Sequence, residues 1–344
     1  MRAVTLIGHG GNEVVALSER PVPVRRPGEV LIGMRAGGLN RVDLYMRNSG
    51  AGITHALPLV MGLDGAGVVV DADDASTLRR GQRVVIHPAL GCGRCEFCRR
   101  GEHVLCTRMK FLGEHVDGTL ADFVSVPEGN VFAAPAPLDD AEAAALCVAP
   151  ITAWRMVFTK AALKPHETVL IFGIGGAVSL AALQFARMIG ARVLVTSRAR
   201  DKLDRALALG AAVAIDTAGE DVVARVMAET GGRGVDVVIE NVGAAVWPLA
   251  MKSVVRGGRI VTCGATTGDA PSADLRRLFI RQIAVFGSTH GTFSEFADML
   301  AAAERGLFRP VIDSRYGLED IHAALDRLDS GRQFGKVALS IAEA

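Results

Sequence analysis

The sequence has 344 residues, of which 50% are hydrophobic and 22% are charged, so it can bury sizeable cores in two domains and is not a disordered chain. Its 38 basic and 37 acidic side chains leave a net charge of +1, which favours neither nucleic acid nor an anionic membrane as a partner. The N-terminus lacks the apolar core of a signal peptide, and no apolar run reaches membrane-spanning length. We therefore expect a cytoplasmic protein, whose six cysteines serve a metal or chemistry and not disulfides.

The first part of the chain, from Met1 to about Val131, alternates short β-rich segments with Gly and Pro turns. Many short strands with this punctuation predict a compact β-barrel-like domain. The expected strands are 14–17, 29–34, 67–70, 82–86 and 121–126. From Asp139 the pattern changes to helix, and strands and helices then alternate.

Four cysteines fall within one short loop after the expected strand 82–86: Cys92, Cys95, Cys98 and Cys106. Two successive C-x-x-C steps and a fourth Cys can bring four thiolates together in the tetrahedral geometry of structural zinc. Thiolates alone also suit an iron–sulfur cluster, but no Pro follows the last Cys, and the arginines of the loop suit a doubly negative zinc centre. Because a closed site has no open position for substrate, we assign one zinc per chain to stability.

The stretch 167–198 predicts a βαβ unit, with an apolar strand at 169–172, a glycine turn, a helix that ends at Gly190 and a second strand at 193–195. In such a turn, backbone N–H groups at the helix N-terminus can approach the pyrophosphate of a dinucleotide. The third glycine of the full fingerprint is absent, so an ordinary turn without a ligand is the alternative. The groups expected at the phosphates are those of Gly173, Gly175, Gly176, Ala177 and Val178.

Further β–α units follow, and right-handed crossovers between them predict a doubly wound parallel sheet. The expected strands are 212–216, 235–240, 259–263 and 286–289, and a final strand covers 336–341. The expected helices are one that ends near Gly210 and those at 221–229, 248–255, 293–305 and 318–328.

The end of the second strand of the βαβ unit indicates which nicotinamide cofactor is used. NAD enzymes place a carboxylate there for the ribose hydroxyls, whereas NADP enzymes place small and basic residues there for the 2′-phosphate. The chain has Ser197 and Arg198 at this point and Lys202 one turn later, and no carboxylate precedes Asp201. This pattern favours NADP(H), and a solvated basic helix start is the alternative.

Several stretches together resemble the medium-chain dehydrogenase/reductase superfamily, which contains the zinc alcohol dehydrogenases and the quinone oxidoreductases. The matching stretches include PGEVLIGMRAGGLNRVDL, PLVMGLDGAGVV, DGTLADFVSVPEGNV, GGRGVDVVIENVG and QFGKVAL. The resemblance implies an α/β chain with a GroES-like β-barrel catalytic domain over 1–149, a Rossmann NADP-binding domain over 150–287, and a segment 288–344 that returns to the catalytic domain.

The resemblance also implies cofactor contacts beyond the glycine turn. Residues that would flank the ribose and nicotinamide are Thr152, Asn241, Cys263, Gly264, Ala265, Gly287, Ser288 and Thr289, and Lys336 corresponds to a late cofactor-contacting position. A β-edge around 259–262 resembles the segment that pairs across the family's dimer, which implies a homodimer or a dimer of dimers.

The catalytic zinc of the alcohol dehydrogenases is where the resemblance breaks down. Its first Cys ligand corresponds to Asn40, its Gly-His-Glu segment corresponds to Gly62-Leu63-Asp64, and only the later Cys remains, as Cys147. The stretch GLNRVDL instead looks like the quinone and enone reductases, although the structural-zinc loop is kept. A weak second zinc held by Asp64, His87 and Cys147 remains an alternative.

Without a Lewis acid, the accessible reaction is hydride delivery to an electron-poor small molecule such as a quinone or an α,β-unsaturated carbonyl. We expect Asn40 to donate a hydrogen bond to the developing negative oxygen, Tyr45 to donate a proton, and Asp43 to fix the backbone near Asn40. Asn40 as a turn residue, Tyr45 as a packed aromatic and Cys147 as a small buried apolar residue are the structural alternatives. His87 and His115 are equally consistent with structural roles, and Leu57, Phe111 and His290 are guesses for the pocket.

Two other functions are consistent with the same residues. One is an NADP-dependent alcohol or carbonyl dehydrogenase with an atypical zinc site. The other is an NADPH-binding protein with a structural or regulatory role and no turnover.

Overall fold

The computed structural model describes residues 1–342, which divide into two compact units. The first unit contains Met1–Ile151 and the segment from Gly291 onward, and the second contains Thr152–His290. The segment after Gly291 is therefore part of the first unit. The domain limits expected at 149/150 and 287/288 lie close to this division.

The first unit is rich in short strands up to residue 133. These strands are β1 (Arg2–Leu6), β2 (Val15–Glu19), β3 (Glu29–Leu39), β4 (Leu59–Val60), β5 (Asp64–Asp71), β6 (Arg83–Ile86), β7 (Ala89–Leu90), β8 (Lys110–Phe111), β9 (Phe123–Pro127) and β10 (Val131–Ala133). The helices up to residue 154 are α1 (Arg41–Ser49), α2 (Glu96–Arg99), α3 (Asp140–Ala144) and α4 (Ala149–Trp154), of which α4 crosses the boundary between the two units.

The second unit alternates strands and helices. Its strands are β11 (Thr168–Ile171), β12 (Arg192–Ser197), β13 (Val213–Asp216), β14 (Val235–Glu240), β15 (Val254–Thr262) and β16 (Ala284–Gly287). Its helices are α5 (Ala177–Met188), α6 (Arg200–Ala208), α7 (Val222–Glu229), α8 (Trp247–Ser253) and α9 (Leu275–Arg281). The segment from Gly291 then adds α10 (Phe293–Glu304), β17 (Ile312–Gly317), α11 (Ile321–Asp329) and β18 (Lys336–Ser340) to the first unit.

The main sheet of the first unit is mixed and has the strand order β10-β6-β5-β3-β18-β17, with β9 also paired to β3. Along β3 half-buried and buried residues alternate up to Arg35, as expected for a strand with one face on the core. The register sets Gly38 opposite Asp64 and Leu39 opposite Val337. The end of β3 and the starts of β5 and β18 therefore meet at one place.

The second unit contains a parallel sheet with the order β13-β12-β11-β14-β15-β16. Numbered within the unit, this is the order 3-2-1-4-5-6 of dinucleotide-binding sheets, which confirms the predicted doubly wound sheet. All residues of β14 are buried, which explains why this strand is continuously apolar apart from its two acidic residues. The strand order reverses between β11 and β14, which is the topological switch point of the sheet.

Several expected elements differ from the structure. The helix expected at 248–255 ends at Ser253, and Val254 already begins β15. The expectation that 259–262 forms a sheet edge is wrong, because β15 pairs with β14 on one side and with β16 on the other. The edge strand at this end of the sheet is β16. No helix in residues 1–342 combines the length and the apolar character needed to cross a bilayer.

Candidate active site and metal centre

The cysteine loop forms a compact sulfur cluster in the first unit. The Sγ atoms of Cys92, Cys95, Cys98 and Cys106 all lie within 4.8 Å of one another. A tetrahedral ion with Zn–S bonds of about 2.3 Å holds its sulfurs about 3.8 Å apart, so small adjustments suffice for coordination. The donor set and its spacing therefore fit a structural zinc ion.

Hydrogen bonds around the sulfurs favour the thiolate form. The backbone N–H groups of Cys92 and Arg108 each donate to Cys106 Sγ at 3.3 Å, and the Arg108 guanidinium donates to Cys92 Sγ at 3.6 Å. The backbone N–H of Arg94 is the largest cause that lowers the pKa of Cys92 to about 5. Burial raises the pKa of Cys98 to about 12, so that thiol depends on a bound cation for its deprotonation.

The glycine turn of the second unit lies between β11 and α5, at the point where the strand order of the sheet reverses. Gly173 and Gly175 have φ values of +67° and +121°, a region that favours glycine. Gly176 is the N-cap of α5 and supplies no capping side chain, so the first N–H groups of the helix are available to an anion. Two hydrogen bonds of Ser179 fix the turn: its Oγ donates to the Phe172 carbonyl at 2.8 Å and accepts from Asn241 Nδ2 at 2.9 Å.

Ser197 is the last residue of β12, and Arg198 follows it. Ser197 Oγ accepts the backbone N–H of Ala199 at 3.1 Å. The Arg198 side chain is exposed and makes no hydrogen bond or ion pair with residues 1–342. Lys202 lies half-buried in the first turn of α6. The end of β12 therefore presents a hydroxyl and an uncommitted guanidinium, and no carboxylate.

The other expected cofactor residues of the second unit follow the ends of its strands, except Thr152, which lies in α4. Asn241 follows β14, Cys263, Gly264 and Ala265 follow β15, and Gly287, Ser288 and Thr289 lie at or after the end of β16. Carboxyl ends of parallel strands are where such sheets bind ligands. Ser288 Oγ is buried and has no hydrogen-bond partner within residues 1–342, while its backbone N–H donates to the Thr262 carbonyl at 2.9 Å.

Glu240 is a buried acid at the end of β14 that the sequence analysis missed. Its carboxylate accepts the N–H of Gly243 at 2.6 Å, the N–H of Val242, and Thr262 Oγ1 at 2.9 Å. It thereby fixes the loop after β14 to the end of β15. Burial and the Glu240 charge raise the pKa of Cys263 to about 12, so this thiol stays protonated. The signal available in the sequence was an acidic residue that ends an otherwise apolar strand.

A buried ion pair occupies the place in the first unit where three strand ends meet. Lys336 Nζ lies 2.6 Å from Asp64 Oδ2 and donates to Asn40 Oδ1 at 2.6 Å and to the Leu39 carbonyl at 3.4 Å. Asp64 is completely buried, and Lys336 is 3% exposed. Burial raises the pKa of Asp64, and the Lys336 charge together with hydrogen bonds from Lys336, Asn40 and the Val148 backbone opposes that rise.

Asp43 and Glu114 add two further acids near this ion pair. The Asp43 carboxylate accepts the backbone N–H of Asn40 at 2.7 Å and so fixes the start of α1, as expected. Burial raises the pKa of Asp43 to about 7, and the Asp64 charge adds to this rise. Burial and the Asp43 charge likewise raise the pKa of Glu114 to about 7. Near neutral pH these two carboxyls are therefore partly protonated.

These residues do not fit a catalytic zinc ion. Leu63 offers no ligand atom, Asn40 Oδ1 accepts from an ammonium group, and burial raises the pKa of the Cys147 thiol to about 12. His87 Nε2 lies 2.9 Å from the Gly291 carbonyl, and its ring packs edge-on against Phe293. Within residues 1–342, Asp64, His87 and Cys147 do not bring ligand atoms together as the four cysteines do. The alternative second zinc site is thus not formed.

The other expected site residues of the first unit lie nearer the surface. Tyr45 is in α1 and is 37% exposed, and Leu57 is 40% exposed. The Phe111 backbone N–H donates to His115 Nδ1 at 3.1 Å, and burial lowers the pKa of His115, which keeps this imidazole neutral. His290, which was also expected at the pocket, differs from these residues: it is buried and belongs to the second unit.

Two family models match the chain and together cover most of it. Residues 26–136 match the alcohol dehydrogenase GroES-like domain, and residues 177–305 match the zinc-binding dehydrogenase domain. The chain is 31% identical to an alcohol dehydrogenase of Geobacillus stearothermophilus, over 96% of this chain and 97% of that protein. It is 30% identical to an NAD-dependent alcohol dehydrogenase of Saccharolobus solfataricus, over 98% of this chain and 99% of that one.

A crystal structure of an NAD-dependent alcohol dehydrogenase superposes on the chain with a TM-score of 0.96 at 38% identity, covering 99% of this chain and 100% of the other. The fold, the two matched domains and the cysteine cluster agree with these likenesses. The chain belongs to the zinc-binding medium-chain dehydrogenase/reductase family and is an oxidoreductase of that type, as the sequence analysis predicted.

Proposed function

We propose that the chain is an NADPH-dependent reductase that transfers hydride to a quinone or an α,β-unsaturated carbonyl without a catalytic metal ion. The observation that carries this proposal is the buried Asn40–Lys336–Asp64 cluster, in which the Asn40 amide, at the position that corresponds to the first zinc ligand of the alcohol dehydrogenases, accepts a hydrogen bond from an ammonium group. A simple ketone or alcohol needs strong stabilisation of charge on its oxygen, and a metal ion supplies that in the zinc enzymes. An acceptor with a conjugated carbonyl spreads the charge itself and needs only hydrogen-bond donors.

The residues of the first unit then have distinct roles in this proposal. A bound nicotinamide would supply the hydride, and the residues of this chain would stabilise the negative charge that develops on the conjugated oxygen. Asn40 donates a hydrogen bond to that oxygen through its amide N–H, and Asp43 holds the Asn40 backbone in place. Tyr45, which is on the exposed side of α1, donates a proton to the reduced acceptor.

We assign NADPH as the reductant from the end of β12. One of the curated relatives named above is described as NAD-dependent. The assignment of NADPH therefore rests on the residues of this chain. The uncommitted guanidinium of Arg198, the Ser197 hydroxyl and the Lys202 ammonium are suited to a 2′-phosphate, and no carboxylate competes for the ribose. The glycine turn would hold the pyrophosphate, and Thr152, Asn241, 263–265 and 287–289 would hold the ribose and nicotinamide.

Alcohol oxidation is the second candidate, because the relatives named above are alcohol dehydrogenases. A protein that binds NADPH without turnover is the third. Purified protein should be assayed at the NADPH absorbance band with a quinone and an enone, and with NADP⁺ and a secondary alcohol, with zinc counted in the same sample. We expect reduction of the quinone or enone with one zinc per chain; alcohol oxidation that needs a second ion would refute the proposal.

We further propose that the chain forms a homodimer, or a dimer of dimers, through the edge strand β16. Three large apolar side chains of the neighbouring α9 are exposed, namely Leu275, Phe279 and Ile280, and Val285 and Phe286 of β16 are exposed beside them. A second copy fits this surface, since a two-fold axis at an open strand edge pairs the strand with itself. A cytoplasmic location agrees with the reduced thiols that the zinc cluster requires.

A further inference from the structure

The three N–H groups of the Lys336 ammonium have acceptors within the first unit. A lysine ammonium has three donors and no acceptor. The available acceptors are Asp64 Oδ2 and Asn40 Oδ1, each 2.6 Å away, and the Leu39 carbonyl oxygen at 3.4 Å. Lys336 is 3% exposed, so its ammonium is buried among these oxygens. The cofactor contact that the resemblance implies for Lys336 stays a prediction, and the geometry points to a different role.

The ammonium group of Lys336 fixes the orientation of the Asn40 side-chain amide. Because Lys336 only donates, the amide must present Oδ1 to it, and a flipped amide would set two donors against each other. In this orientation Asn40 Nδ2 is buried and makes no hydrogen bond of good geometry within residues 1–342. It lies close enough to Asp64 to help lower the pKa of that acid. One amide hydrogen can thus face Asp64 while the other remains for a ligand.

An amide hydrogen that is buried without an acceptor costs about 1–3 kcal/mol, and an oxygen of a bound ligand would supply that acceptor. A negatively charged oxygen matches this donor. Donation from the ammonium to Oδ1 also polarises the amide and strengthens its N–H as a donor. The ion pair with Asp64 meanwhile keeps the buried ammonium charged and compensated.

We propose that Lys336 is a positioning residue of the reaction: its ammonium holds the Asn40 amide so that the N–H side faces the reacting oxygen. This inference rests on the proposed role of Asn40 in the reduction. In this proposal Asp64 is the counter-ion that holds the Lys336 side chain beside β3. The competing explanation is that the ion pair only joins β5, β3 and β18.

The variants must separate charge from folding. Lys336→Met alone leaves Asp64 as a buried unpaired acid, which is destabilising. The double variant Lys336→Met with Asp64→Asn is neutral and close in volume, and Lys336→Arg keeps the charge. Thermal unfolding and zinc content of each variant show whether the first unit is intact, and zinc should stay at one per chain because the cysteine loop is untouched.

In the double variant we expect kcat with a quinone or enone to fall about 100-fold, the typical effect of losing one well-placed donor. The dissociation constant for NADPH, measured by nicotinamide fluorescence, should stay within a factor of two or so, since no phosphate contact is lost. Asn40→Ala should cause a similar loss of kcat in the wild-type background and little further loss in the double variant. Lys336→Arg should retain more activity than the double variant, as the charge is kept.

An intact double variant with wild-type kcat would overturn the proposal in favour of a structural ion pair. Weakened NADPH binding with unchanged kcat would overturn it in favour of a cofactor contact. A readout without turnover is the ¹H–¹⁵N signal of the Asn40 side-chain amide, assigned by its loss in Asn40→Asp. It should shift in the double variant, and its failure to shift would refute the orientation. If the wild type oxidises alcohols instead, the proposed function fails while this amide measurement still tests Lys336.

Discussion

The Asp43 carboxylate lies 2.7 Å from the backbone nitrogen of Asn40 and accepts its N–H, so a buried acid fixes the residue that begins α1. Burial raises the pKa of Asp43 from 3.8 to about 7. The folded state therefore binds a proton that the unfolded state has lost between about pH 4 and pH 7. By linkage, this contribution makes the free energy of unfolding decrease as pH rises through that window and level off above it.

We expect the slope to be roughly 1 kcal/mol per pH unit for each such proton. Asp43→Asn should flatten the decrease, as measured by denaturant unfolding of the zinc-loaded protein from pH 5 to pH 8. Glu114→Gln should flatten it separately, because burial raises the pKa of that acid to about 7 as well. An unchanged slope in both variants would mean that neither acid takes up a proton on folding.

Removal of one cysteine ligand tests the metal centre. Cys95→Ser should lose the zinc ion and lower the melting temperature by well over the 2–4 °C that about 1 kcal/mol produces in a domain of 150–250 residues. Turnover should persist below the new melting temperature, because the four-cysteine site is closed to substrate. Cys147→Ser is the matched control and should keep its zinc, since this thiol lies outside the cluster. Zinc counting and calorimetry measure both effects.

We expect the Arg198 guanidinium to determine the preference for NADPH over NADH. Arg198→Ala should raise KM for NADPH about 10- to 100-fold, in line with the roughly 1.5–3 kcal/mol of a hydrogen bond to a charged group, and leave KM for NADH unchanged. Arg200→Ala is the control on the same segment, because Arg200 is paired with Asp204 at 3.2 Å and is exposed. Equal effects of the two substitutions would point to general surface charge and not to a phosphate contact.

Gly173 and Gly176 have opposite tolerances for a side chain. Gly173 has a φ of +67°, and an added Cβ would lie 3.0 Å from Val242 Cγ2, so Gly173→Ala should cost about 1–2 kcal/mol or more of stability. Gly176 has a φ of −72°, and its nearest contact would be 3.7 Å away. Gly176→Ala should fold with nearly wild-type stability, as thermal unfolding would show. Equal destabilisation by both would contradict the turn geometry.

The apolar surface beside β16 predicts the oligomeric state. Phe279→Glu, at a side chain that is 68% exposed, should convert the proposed dimer to a monomer by placing a charge in the proposed interface. Val24→Glu is the control, because Val24 is 88% exposed on the first unit. Sedimentation velocity at the same protein concentration compares the two. A Phe279→Glu protein with the wild-type mass would exclude this face as the dimer contact.

The second unit was predictable from the sequence where strands are buried on both faces. The runs around Val169 and Val193 are apolar without interruption, and the glycine turn between them marks the start of α5. β15 was harder, because Gly257 and Gly258 interrupt it and suggested a turn after a longer helix. The sheet edge at 259–262 was instead implied by the family resemblance, and the pairing with β16 excludes it.

The Asn40–Lys336–Asp64 cluster was only half predictable. The replacement of metal ligands by Asn40 and Leu63 is visible in the sequence, and Asp43 lies close enough along the chain to be expected at the start of α1. The partner of Asp64 was not visible, because Lys336 is far away in the sequence and reaches Asp64 only through the pairing of β18 with β3. Long-range charge pairs of this kind carry no local pattern in the sequence.

The pairing of β18 with β3 also bears on how the protein is made. A nascent chain that ends before Lys336 has already produced Asp64 and the strands around it, yet lacks the cation that compensates this acid. Contacts between such distant segments form slowly, since a long loop must close first. During translation the buried Asp64 therefore stays uncompensated until β18 has emerged, and we expect chaperones to bind ribosome-bound chains that end before this strand.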